Sequence, residues 1–174
     1  MAETIVPRQV SFNGGSIALE GTVIDVGDPA PEFTLVDGNL NRVSFVNFRG
    51  RIVLLATVPS LDTSVCDIET RRFDQEASKL GDRVACLTVS MDLPFAQQRW
   101  CGAAEARHVV TLSDYKDHQL GKSYGVYLTE LGLLARAVFV IDPSGIVRYR
   151  EIVPEVAHEP DYSAALSAVK ALLV

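Results

Sequence analysis

The sequence predicts an α/β fold: a central, mostly parallel sheet with helices on both faces, preceded by an N-terminal β-hairpin. Three observations carry that expectation. The runs RIVLLATV (residues 51–58) and RVACLTVS (83–90) are continuous and apolar, the pattern of strands buried on both faces. Helix-like stretches alternate with them, which is how parallel strands are joined. Asn13-Gly14-Gly15 lies between two short β-like runs and is the strongest short hairpin signal in the chain.

The remaining elements follow in order. GDPAPEF (27–33) is a breaker-rich connector, and FTLVD and RVSFVNF after it read as strands. Beyond residue 58 a helix places Cys66, Phe73, Ala77 and Leu80 seven, four and three apart on one face, and Gly81 ends it. Beyond residue 90, Asp92 is placed to cap a short helix, Pro94 suits its first turn, and Gly102 stands where a C-cap glycine belongs. VVTLSD is a short strand and DHQLGKSYG a short helix stopped by Gly125. ARAVFVID and IVRYREIV are strands joined by a tight turn at Pro143-Ser144-Gly145. The last helix starts near Pro160-Asp161, with Tyr162, Ala165, Leu166, Val169, Leu172 and Leu173 as its apolar stripe. A hairpin followed by β-α-β-α-β-α-β-β-α closes as a thioredoxin-like sheet does. No repeat, low-complexity stretch or linker interrupts it, so residues 1–174 read as one domain.

Composition removes several function classes. With 48% hydrophobic and 22% charged residues, the chain has the ordinary globular mixture, which argues against disorder. A formal net charge of −6 leaves no basic stripe to neutralise phosphates, so no nucleic-acid partner is expected. No apolar run approaches the ~18 residues of a membrane span. The start MAETIVPRQV lacks a basic region followed by an apolar one, so a soluble, cytoplasmic protein is expected. Three cysteines are an odd number and too few for a secreted disulfide framework. A metal site is poorly supported, because Cys66, Cys86 and Cys101 lie far apart without a C-x-x-C, and His108 stands alone.

The stretch VPSLDTSVC (58–66) sets a proline, a threonine and a cysteine between a buried strand and a charged helix. Cys66 falls in the helix's first turn, where unpaired N–H groups and the positive dipole end favour a thiolate. Thr63, three residues earlier, can cap that helix or donate to the sulfur's reaction partner. Pro59 offers an apolar wall without an N–H. Asp62, Asp67 and Glu69 oppose a thiolate unless they point elsewhere, so a cation is required. Arg71 and Arg72 share the helix, and Arg136 opens an otherwise apolar strand, although strand ends often carry charge. Cys86, mid-strand among apolar neighbours, reads as inert packing. Cys101 sits at a helix end, where the dipole disfavours a thiolate. The asymmetry suggests that one thiolate attacks an oxidant and becomes a sulfenic acid, and that a second thiol condenses with it. A Cys–His hydrolase lacks support, since none of His108, His118 and His158 has a placed partner.

With those residues set out, the chain resembles a known family. PSLDTSVC is similar to the peroxiredoxin P-x-x-x-T-x-x-C motif, and DLPFAQQRWCG resembles the resolving-cysteine helix of its thiol peroxidase branch. The likeness continues through EGTVIDVGDPAPEFTLV, GLLARAVFVID and EPDYSAAL, nearly the whole chain. It implies that Cys66 is the peroxidatic cysteine and Cys101 the resolving one, joined in an intrachain Cys66–Cys101 disulfide during turnover. It implies further that Thr63 hydrogen-bonds the peroxide, Pro59 shields the sulfur and Arg136 polarises the pocket. Ser64 and Trp100 vary at places expected to adjust pocket shape. A peroxiredoxin fold, a homodimer, reduction by thioredoxin and no cofactor are also implied. The reading is a peroxidase for hydrogen peroxide and organic hydroperoxides. Its rivals are a thioredoxin-like binding module without turnover and a redox sensor, and peroxide consumption with thioredoxin present separates them.

Overall fold

The computed structural model describes residues 8–174; residues 1–7, part of the stretch read for a leader, lie outside the described residues. The predicted hairpin is present as β1 (Gln9–Phe12) and β2 (Gly15–Ala18). Asn13 and Gly14 both take positive φ, 51° and 82°, as a two-residue turn of matching twist requires. Next come β3 (Thr34–Val36) and β4 (Arg42–Ser44). The second half of RVSFVNF is not strand: Phe45–Phe48 form a 3-10 turn that buries Phe45 and Phe48 on one side. Then follow β5 (Ile52–Thr57), α1 (Ser64–Leu80), β6 (Val84–Ser90), α2 (Pro94–Ala104) and β7 (Val109–Ser113). A short α3 (Gln119–Ser123) leads into a two-residue ladder, β8 (Tyr127–Leu128) and β9 (Leu133–Leu134), that the sequence pattern did not show. The chain closes with β10 (Ala137–Ile141), β11 (Val147–Ile152) and α4 (Tyr162–Leu172).

Seven strands form the central sheet in the order β11-β10-β5-β6-β7-β3-β4. The expected parallel character is confined to its middle, where β5, β6 and β7 run parallel through helical crossovers. Short connections and the β8–β9 reversal bring β10, β11, β3 and β4 in antiparallel, so the sheet is mixed. Strand alternation divides the core in two. Ile52, Leu54 and Ala56 of β5 face Phe73 of α1 and Tyr162, Ala165 and Val169 of α4. Val53 and Leu55 face the opposite layer, built from the hairpin, the connector and α3 through Val10, Phe33, Leu120 and Tyr124. Phe73 meets Tyr162 edge-on at 5.3 Å, which seats α1 against α4 and fixes where its N-terminus points.

Two caps differ from expectation. Asp92 does not cap α2; Leu93 occupies that position, with Pro94 next to it. The Asp92 carboxylate instead accepts from Ser60 Oγ at 2.7 Å, Leu61 N–H at 2.8 Å and Ser90 Oγ at 2.7 Å. It therefore shapes the loop before α1. Gly102 is helical, and α2 ends one turn later at Glu105 in the left-handed conformation, φ 54°.

Candidate active site

The loop held by Asp92 delivers Pro59, Thr63 and then Cys66, in the first turn of α1. The first bond of that helix runs from Asp67 N–H to Thr63 C=O, so the preceding amides have no partner within the helix. Cys66 is buried, and Arg136, immediately before β10, is 2% exposed. Arg136 Nη2 donates to Cys66 Sγ at 3.3 Å, Nη1 to Glu69 Oε2 at 2.5 Å, and Nε to Val156 C=O at 2.9 Å. The required cation is thus Arg136. Arg71 faces outward onto Asp67.

The three acids are disposed of differently. Asp62 pairs with Arg99 and Asp67 with Arg71, both away from the sulfur. Glu69 is wholly buried and binds Arg136. Burial pushes its carboxyl up to about 7, against the pull of the Arg136 guanidinium. Burial alone would lower the Arg136 guanidinium, but Glu69 and Cys66 outweigh it and raise it. Sequence reasoning treated Glu69 as an opposing charge; its spacing of three from Cys66, on the same helix face, was the available signal.

Thr63 is the N-cap residue of α1 but makes no side-chain cap bond; its Oγ1 donates to Ser60 C=O at 2.9 Å. Pro59, Thr63, Ser64 and Arg136 line one pocket of about 200 Å³, whose other walls include Phe12 and Val156. Phe12 comes from the hairpin, which Ser11 ties to the 154–156 segment by bonds to Pro154 C=O and from Val156 N–H. Trp100 does not line this pocket. It packs from α2 into a buried cluster with Val58, Leu61 and Cys66. A cavity of about 230 Å³ at the β3–β7 edge, lined by Arg42, Asp114 and Lys116, contains no thiol.

All three cysteines are free. Cys101, in the last turn of α2, is half-buried, and its Sγ lies 3.3 Å from Thr111 Oγ1. Burial raises its thiol, although Thr111 opposes the shift. Cys86 is fully enclosed and burial pushes it up to about 12. Among the described residues no group of three His, Cys, Asp or Glu could hold a metal, and no helix is long and apolar enough to cross a membrane.

A buried helix-start thiol under an arginine, with a second thiol nearby, is redox geometry, and a family model described as Redoxin matches residues 25–166. The chain belongs to the redoxin family. It is 47% identical over 165 residues to a thiol peroxidase of Bacillus subtilis (strain 168), covering 95% of this chain and 98% of that one. It is 50% identical over 162 residues to a thiol peroxidase of Staphylococcus aureus (strain MRSA252), with 93% and 98% covered. A peroxiredoxin-like protein from Aquifex aeolicus superposes with a TM-score of 0.90 at 40% identity, covering 95% and 97%. A thiol peroxidase from Chromobacterium violaceum, TM-score 0.84 at 21% identity over 94% and 95%, shares the redoxin fold.

Proposed function

We propose that this redoxin is a thiol-dependent peroxidase in which Cys66 is the peroxidatic residue. The observation that carries the assignment is the Arg136 Nη2–Cys66 Sγ hydrogen bond at the start of α1, with Arg136 also lining the pocket of Pro59 and Thr63 while Cys66 lies buried behind it. A cation donating to sulfur is the contact a thiolate accepts. In the reaction the Cys66 thiolate attacks one peroxide oxygen; an S–O bond forms and the O–O bond breaks. The departing oxygen takes a proton and leaves as water or an alcohol, with Cys66 as the sulfenic acid. Arg136 and Thr63 hold the peroxide, and Pro59 keeps water from the sulfur.

Cys101 then attacks the Cys66 sulfenic sulfur, forming Cys66–Cys101 and releasing water. A dithiol reductant of the thioredoxin type restores both thiols while its own pair is oxidised. The half-exposed position of Cys101 supports its role as the second actor. The family likeness supports a homodimeric cytoplasmic enzyme, one domain over residues 1–174, needing no cofactor. The deciding experiment compares Cys66→Ser with Cys86→Ser in steady-state peroxide reduction with thioredoxin. Cys66→Ser is expected to abolish activity and Cys86→Ser to change it little, because Cys86 is enclosed by the core. Substantial activity without Cys66 would end the proposal.

A further inference from the structure

The residues flanking the two cysteines bind each other. Asp67 follows Cys66, Trp100 precedes Cys101, and Trp100 Nε1–H donates to Asp67 Oδ1 at 2.8 Å. Arg71 Nε lies 3.0 Å from both Asp67 oxygens, and its guanidinium stands over the Trp100 ring at 5.7 Å. At the rim, Arg99 Nη2 donates to both oxygens of Asp62, at 2.8 and 2.9 Å. The Trp100–Asp67 bond therefore joins α1 to α2, Arg71 Nη1 adds a longer one to Ala104 C=O at 3.5 Å, and Arg99–Asp62 ties α2 to the loop before α1.

In this closed arrangement the sulfurs engage different partners, Arg136 for Cys66 and Thr111 for Cys101. A sulfur–sulfur bond requires both to let go and requires Trp100, 6% exposed, to be drawn out of its cluster with Cys66. One turn before Cys101, Gln97 anchors α2: its Nε2 donates to Ser90 Oγ at 3.0 Å and to Leu112 C=O at 2.9 Å. The end that carries Cys101 is held by Trp100, through its buried ring and through its N–H. The tie to Asp67 can be removed from the α1 side without touching that ring, which makes it the adjustable part of the closure.

We propose that Asp67 and Trp100 are positioning residues that keep these helix ends closed, and thereby set how oxidised Cys66 divides between two fates. One is the bridge to Cys101, formed with loss of water. The other is attack of the sulfenate on a second peroxide, which forms a second S–O bond, breaks the O–O bond and leaves a sulfinic acid and an alcohol or water. A longer closed lifetime favours the second fate. The inference rests on the Cys66–Cys101 reading given above.

The test uses the full chain, reduced, with Asp67→Ala, Asp67→Asn and Trp100→Phe beside the wild type. Each is mixed with one equivalent of hydrogen peroxide, quenched at intervals and digested with trypsin. Linkage of peptides 52–71 and 100–107 gives the bridging rate, and sulfinic acid on 52–71 after excess peroxide gives the partition. Asp67→Ala is expected to bridge about tenfold faster, the worth of one hydrogen bond to a charged group. It should also form correspondingly less sulfinic acid at equal peroxide. Trp100→Phe loses the N–H and also part of the buried indole surface, so it should bridge at least as fast as Asp67→Ala. Asp67→Asn keeps an acceptor and should fall between. Variants that link at the wild-type rate, or more slowly, overturn the latch while leaving the peroxidase reading intact. No linked peptide in the wild type itself overturns the Cys66–Cys101 reading, and the latch with it.

Discussion

Arg136 divides its donors among three elements: Cys66 in the first turn of α1, Glu69 one turn on, and the Val156 carbonyl after β11. Removing it therefore does more than remove a charge from the sulfur. Arg136→Met leaves Glu69 buried without a partner, and losing one member of such a pair costs about 3–5 kcal/mol. Denaturant unfolding should show that loss, and the peroxide reaction should slow as well. The double variant Arg136→Met/Glu69→Gln separates the effects, because glutamine needs no counter-charge. Stability is expected to recover substantially and the peroxide rate to stay low; recovery of both would deny Arg136 its part in the chemistry. Glu69 gives a pH signature of its own. Its folded value, about 7, lies above its ordinary 4.5, so its contribution is full below pH 4.5 and is lost as pH rises through 7. Melting curves from pH 5 to 8 should show the wild type losing ground to Glu69→Gln, and parallel curves would contradict the assignment. At this scale Arg136 was readable as a lone cation opening an apolar strand. Glu69 was not, since its burial depends on α1 lying against the β10 end, which no local pattern encodes.

At the scale of elements, long apolar runs and strong turn chemistry were legible, and short or context-dependent pieces were not. β5, β6, β10 and β11 stood out because burial on one or both faces writes a pattern six or so residues long. The β8–β9 ladder has two residues a side, too few to show any period. Asp92 sat where a cap belongs, but its carboxylate is drawn to the Ser60–Leu61 loop, a tertiary contact 31 or 32 residues away in sequence. The hairpin was recognised as a hairpin without its use being visible: the Ser11 bonds to residues 154–156 carry Phe12 to the pocket wall. That placement predicts a part for the hairpin in substrate range. Phe12→Ala should lower kcat/KM for cumene hydroperoxide about three- to tenfold through lost apolar contact, and leave hydrogen peroxide nearly unchanged. Equal losses for both peroxides would show that Phe12 supports the fold of the site and not its fit to an organic tail.

For the whole molecule, the proposed Cys66–Cys101 bridge would exchange one set of constraints for another. Closing the loop of 101 − 66 = 35 positions removes roughly 4 kcal/mol of chain entropy from the unfolded state. The folded state gives up the Cys101–Thr111 contact, the Trp100–Asp67 bond and parts of two helix ends, each hydrogen bond worth about 1 kcal/mol. The burial of Trp100 is also at stake, and it is the chain's one tryptophan. The opposing contributions are of similar size, so the melting temperature should change only modestly on oxidation. Tryptophan fluorescence, by contrast, should shift to longer wavelength as the ring meets water. The bridge itself is read from trypsin peptides, because each cysteine lies on its own: 52–71, 84–99 and 100–107. After one equivalent of peroxide the first and third should be linked and the second free. Cys101→Ser should consume one equivalent and stop at the sulfenic or sulfinic acid of Cys66. Linkage of Cys66 to Cys86 would require the sheet face to open, and would mean that oxidation unfolds the core and not only its edge. Full thioredoxin-dependent turnover by Cys101→Ser would remove α2 from the cycle altogether.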